Sequence, residues 1–175
     1  MDVFTRLTRQ ITRFWKAQPV QAHCDIPCGI YDPHGAQLAA LTIIRMNQLI
    51  AELPKPGPQT TPEERDAYVH KLSRYTVVKE EHAEACKREL RVIWGDYFTA
   101  DHLKQHPELH NLFWDAMKLA SKTRQDINLQ TAQDLLAKVQ AIGQIFWKTK
   151  GAEVHRQPSM QKSGGELVYP VAASK

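Results

Sequence analysis

The stretch Pro54-Lys55-Pro56-Gly57-Pro58-Gln59-Thr60 constrains the fold more than any other part of the chain. Proline lacks a backbone donor and its ring clashes with the preceding helical turn, so no helix runs through this segment and it forms a stiff connector. Thr61-Pro62-Glu63-Glu64 follows at once. Thr61 can cap a helix, Pro62 suits the first helical position, and Glu64 completes a capping box. Beyond it Tyr68, Leu72, Tyr75, Val78, His82, Cys86, Leu90, Ile93 and Tyr97 recur at threes and fours. That period predicts one long helix over about 62–97.

Helical periodicity recurs on both sides of this helix. Leu38, Leu41, Met46, Leu49, Ile50 and Leu53 predict a helix over about 34–53, although Gly35 weakens its start. Pro107 opens a third, to about Ser121, with Leu109, Leu112, Phe113 and Leu119 inward. A fourth, about 129–150, carries Leu135, Leu136, Val139, Ile142, Ile145 and Phe146. Residues 98–106 read as a histidine-rich loop, and Trp94, Phe113, Trp114, Phe146 and Trp147 as core. Strand signals are almost absent. The prediction is an all-α fold, an antiparallel four-helix bundle over residues 34–150. Residues 151–175 turn polar, with Ser163-Gly164-Gly165 and little core material, and read as a disordered tail or interaction arm.

Charge and composition exclude some function classes. No run of 18 apolar residues occurs, so no membrane span is expected. Of 23 basic and 19 acidic residues, Arg6, Arg9, Arg13, Lys16 and Asp2 lie in residues 1–22, a net of +3. The rest carries 19 basic and 18 acidic residues, a net of +1. A body that close to neutral makes no case for nucleic acid, though local positive charge can still steer a small anion. Residues 1–22 form an amphipathic basic segment without the apolar run of a secretory signal, and end in Val20-Gln21-Ala22, a small-residue cleavage pattern. They read as a leader or propeptide on a cytoplasmic protein, with export left open.

Chemistry concentrates in the turn-forming segment His23-Cys24-Asp25-Ile26-Pro27-Cys28-Gly29-Ile30-Tyr31-Asp32-Pro33. Cleavage between Ala22 and His23 would free an α-amine beside an imidazole, an amide and a thiol. A metal bound by the His23 amine and the Cys24 amide nitrogen closes a five-membered ring. The Cys24 thiolate closes a second. Cys28, folded back by the turn at Pro27, adds another thiolate. Such a plane of two nitrogens and two sulfurs, with the His23 imidazole axial, points to Ni(II) or Cu(II) rather than zinc. Spacing alone leaves other readings open: a disulfide, half a zinc site, or two unrelated thiols. His102, His106 and His110 follow an i, i+4, i+8 spacing that Pro107 interrupts, and read as exposed loop histidines. Cys86 reads as a buried apolar thiol.

The hook pattern His23-Cys24-Asp25-x-Pro27-Cys28-Gly29-x-Tyr31-Asp32-Pro33 resembles that of the nickel-containing superoxide dismutases. The resemblance continues through Val78-Lys79-Glu80-Glu81, Trp94-Gly95-Asp96-Tyr97-Phe98, Pro107-Glu108-Leu109-His110 and Ile145-Phe146-Trp147-Lys148-Thr149-Lys150, and covers roughly 23–150. It implies a four-helix bundle assembled as a homohexamer, and a leader removed by a dedicated peptidase. One nickel ion per subunit would be held by the His23 amine and imidazole, the Cys24 amide and thiolate, and the Cys28 thiolate. Tyr31 would gate superoxide access with Tyr97 behind it. Asp25 would order the loop, and the Ile26–Pro27 bond would be cis. Superoxide would be converted to dioxygen and hydrogen peroxide as nickel cycles between +2 and +3. Two positions depart from the family pattern: Ala39 stands where a glutamate would hold the axial imidazole, and His82 where an arginine would. His82 is expected to substitute in part as a donor to His23. The alternative from another class is a non-catalytic helical bundle whose Cys-x-x-x-Cys hook forms a disulfide or stores and delivers a metal.

Overall fold

A computed structural model of the chain describes residues 28–171. Helix α1 (His34–Glu52) stops two residues before Pro54, and α2 (Pro62–Val92) begins beyond the proline-rich connector. The capping box at its start is formed: the Glu64 amide donates to Thr61 Oγ1 at 3.2 Å, and the Thr61 amide donates to Glu64 Oε2 at 2.9 Å. A short π-helical segment, Ile93–Tyr97, ends this rod. Helices α3 (Ala100–Gln105), α4 (Leu109–Gln125) and α5 (Leu129–Thr149) follow. Asn128 caps α5, its Oδ1 accepting from the Thr131 amide at 3.0 Å.

The core lies among the four longer helices. Helix α1 packs on α2 and α5, and α4 packs on α5 and α2. Small residues on α1 (Ala36, Ala39 and Ala40) let its neighbours approach closely, and Ile43, Leu90, Phe113, Leu135, Val139, Ile142 and Phe146 fill the interior. Gly35 belongs to this close packing, since a Cβ there would lie 3.3 Å from Glu89 Oε2. The first half of α2 stands outside the core: its buried residues begin only at Lys79. Tyr68, Leu72, Tyr75 and Val78 are therefore half-buried.

Lys79 itself is buried, and its Nζ donates to the carbonyls of Thr123 and Asp126, the latter at 2.7 Å. Those carbonyls belong to the last turn and cap of α4, which have no intrahelical partner. Burial lowers the Lys79 pKa, against the raising charges of Glu80 and Asp126. Replacing Lys79 with alanine orphans both carbonyls and opens a cavity. We expect a loss of roughly 3 kcal/mol, read as a lower urea midpoint at an unchanged slope; an unmoved midpoint would contradict this role.

Four expectations need correction. The helix predicted over 62–97 changes type at Ile93, where the Phe98 amide bonds to the Ile93 carbonyl at 3.2 Å, a five-residue reach. Residues 100–105 of the predicted loop are helix, because Thr99 and His102 form a capping box of their own. Trp114 is 57% exposed, with the Lys118 ammonium 4.5 Å above its ring, and is not core. The largest departure is the C-terminal segment, which makes the fold mostly helical rather than all-α. Strands β1 (Val154–Pro158) and β2 (Glu166–Pro170) form an antiparallel hairpin with Arg156 opposite Val168. The hairpin packs on α5 and α1 and buries Leu167 and Val168. At its turn Gly165 has φ +78°, and a Cβ there would meet Leu41 Cδ2 at 3.1 Å and Leu136 Cδ2 at 3.3 Å.

Candidate metal centre

Of the sequence-predicted hook, His23, Cys24, Asp25 and Pro27 lie outside the described residues, as does the Ile26–Pro27 bond. Cys28 is exposed and carries a free thiol. Gly29 turns the chain with φ +73°, a conformation glycine adopts without strain. Two residues on, Tyr31 packs against the core. Asp32 Oδ1 then accepts from the His34 amide at 2.7 Å as the chain enters α1.

The structure brings Tyr31 and Tyr97 together, with ring centroids 5.7 Å apart and planes tilted by 56°. Tyr97 owes its place to the π-helical segment. Such segments shift the following side chains around the helix axis and recur at functional sites. The Tyr97 ring sits 4.5 Å from Phe146, 5.6 Å from His102 in a stack, and 5.1 Å edge-on to Phe98. Its hydroxyl lies 2.7 Å from Thr149 Oγ1, which in turn donates to the Phe146 carbonyl at 2.7 Å. The threonine proton being committed, Tyr97 donates to Thr149. The lone pairs of Tyr97 remain to accept a proton donor. The exposed ammonium of Lys150 lies 5.5 Å above the Tyr97 ring and 4.9 Å above Phe146, placing a positive charge beside the phenol pair.

Sequence reading missed Thr149, Lys150 and His102 as neighbours of Tyr97. The first two were visible in Ile145–Lys150, a segment singled out for its resemblance but without a role. The other candidates sort plainly. Cys86 is buried, and burial with the Glu89 charge pushes its thiol up to about 12, as expected of a buried apolar thiol. His102, His106 and His110 have separate neighbours: the Thr99 amide, Glu108 and Trp94. Among the described residues no three His, Cys, Asp or Glu side chains converge into a metal site. Of the expected hook donors, Cys28 is the described member.

The two positions that depart from the family pattern, Ala39 and His82, lie among the described residues. Ala39 is buried and presents only a methyl group. His82 Nδ1 lies 2.9 Å from the Val78 carbonyl. A carbonyl only accepts, so Nδ1 carries the proton, and the neutral ring's Nε2 has none to donate.

The molecule is a mostly helical body with an exposed thiol three residues before a packed phenol pair. The chain belongs to the family of nickel-containing superoxide dismutases, whose sequence profile matches residues 18–150. It is 37% identical over 133 residues to the superoxide dismutase [Ni] of Streptomyces coelicolor, which spans 76% of this chain and 92% of that one. The Streptomyces seoulensis protein of the same name is 36% identical over the same spans. A native nickel superoxide dismutase structure superposes with a TM-score of 0.63 at 35% identity, covering 73% of this chain and 99% of its own. An apo structure gives 0.61 at 33%, covering 71% and 100%. The hairpin, residues 154–170, lies beyond the family match.

Proposed function

We propose that this protein is a superoxide dismutase that uses nickel, converting two superoxide ions and two protons to dioxygen and hydrogen peroxide. The observation that carries the reading is Tyr31 held against Tyr97 immediately after the exposed Cys28, inside the family-matched region. The His23 amine and imidazole, the Cys24 amide and thiolate, and the Cys28 thiolate would hold one nickel ion per chain. When bound, that ion supplies a one-electron couple between the +2 and +3 states at a potential that thiolate and amide donors bring into range.

The chain's own residues handle the anion and its protons. Lys150 puts a positive charge beside the phenol pair and favours approach of a small anion. Tyr31 gates access and orders water or product. Tyr97, its proton engaged by Thr149, is oriented to accept a hydrogen bond rather than give one. Asp25 orders the loop. His82 stands where the family's arginine would and is proposed to support the His23 imidazole in part. Replacing Tyr31 with phenylalanine should leave nickel content intact and lower turnover by about tenfold, less than the ~10²–10⁴ of a full general acid because water can deliver the proton instead. Unaltered turnover across superoxide concentrations would remove Tyr31 from the mechanism.

The finer architecture, an antiparallel four-helix bundle with an N-terminal nickel hook, is part of this proposal. So are assembly as a homohexamer, removal of residues 1–22 by a dedicated peptidase, and a cytoplasmic location. The non-catalytic reading, a metal store or disulfide-bearing bundle, is not favoured by membership of an enzyme family. The deciding experiment is superoxide consumption by processed, nickel-loaded protein in stopped flow, against the same protein stripped of metal.

A further inference from the structure

The start of α1 is held locally by Asp32, whose side chain accepts from the His34 amide, while Pro33 itself gives no side-chain cap and Gly35 adds backbone freedom. This turn begins six positions after Cys28, so the placement of the hook depends on it. The hairpin adds long-range contacts to this turn. Its Tyr169 hydroxyl lies 3.0 Å from His34 Nδ1, and the two rings pack at 5.4 Å. One turn further, the buried Gln37 amide takes both hydrogen bonds of the Val168 backbone. Gln37 Nε2 donates to the Val168 carbonyl at 3.1 Å, and the Val168 amide donates to Gln37 Oε1 at 2.7 Å. A side chain thus plays the part of a third strand, leaving no buried donor or acceptor of that pair unmet. Burial and the charge of Asp32 push the Tyr169 phenol up, so it keeps its proton.

We infer that Tyr169 and His34 are positioning residues for the metal centre: the hairpin, outside the family-matched region, clamps the root of the hook through this pair and so slows the loss of bound nickel. The inference rests on the hook being the nickel site. Ordering the segment that carries a ligand in advance removes part of the cost of closing the site, while leaving the ligand set itself unchanged.

The test uses the processed, nickel-loaded full chain with Tyr169→Phe, His34→Phe and the double variant. These retain the rings and the hairpin core, whereas truncating the hairpin would expose Leu41 and Leu136 and destabilise the body. Nickel release to a chelator and hydrogen exchange of residues 28–37 in the metal-free protein are measured together. The worth of one hydrogen bond predicts roughly fivefold faster release in either single variant, faster exchange at residues 28–37, and no further change in the double variant, because both substitutions break one contact. Faster exchange with unchanged nickel release would overturn the inference and leave the hairpin a purely structural strap. Unchanged exchange would overturn it as well. A parent protein that retains no nickel would overturn the underlying site, and the inference with it.

Discussion

Replacing Cys28 with serine is expected to abolish nickel retention and superoxide removal while leaving the helical body folded. In the proposed site the Cys28 thiolate is a donor, and a serine hydroxyl does not ionise near neutral pH to replace it. Partners that only orient a metal ligand cost 10–100-fold in affinity when removed, so loss of a ligand itself should exceed ~100-fold. Cys28 is exposed, so the substitution removes no core packing. Metal analysis after gel filtration should find nickel near zero. Activity should fall to that of metal-free protein, and the urea midpoint should match the metal-free parent. Serine protein that keeps about one nickel per chain would show that the metal sits elsewhere. Cys86 is buried in the helical core, apart from the exposed Cys28.

A chain that keeps residues 1–22 should likewise be folded, nickel-poor and inactive. With the leader attached, the nitrogen of His23 is a peptide nitrogen rather than an amine, and the five-membered ring it would close with the Cys24 amide loses its first donor. The body does not need that ring: its core lies among α1, α2, α4 and α5, away from the exposed Cys28. Circular dichroism of unprocessed protein should therefore match that of processed protein, with activity at background. The loss should be as complete as in the serine variant, because both remove a ligand. Full activity in protein whose mass still includes Met1–Ala22 would rule out the amine as a ligand.

The sequence was informative wherever the cause was local. The proline-rich break at 54–60 and the Thr61 capping box fix where α2 begins, since both act through neighbouring backbone groups. The ends of α1 and α5 fall within a residue of the predicted limits for the same reason. Nickel chemistry was legible in the order of donor types over residues 23–28, and the family match bears out nickel as the metal. The misses are non-local. A π-helical segment alters one backbone bond without altering the apolar spacing, so nothing in Ile93–Tyr97 announces it, yet it sets Tyr97 against Tyr31. The hairpin offers two apolar residues, Leu167 and Val168, side by side rather than alternating. Its decisive partner is Gln37, a polar residue on a helix 131 positions earlier. His102 completes a capping box where glutamate or glutamine is the usual residue, which hid α3. Trp114 was misplaced because a periodic aromatic reads as core, whereas here Lys118 covers its outer face.

The central claim is that freeing His23 creates a nickel site in this chain, and intact mass combined with metal content tests it most directly. Protein made with a matching peptidase in nickel-supplemented cells should have a mass beginning at His23 and carry about one nickel per chain. Protein that begins at His23 and binds no nickel would contradict the account.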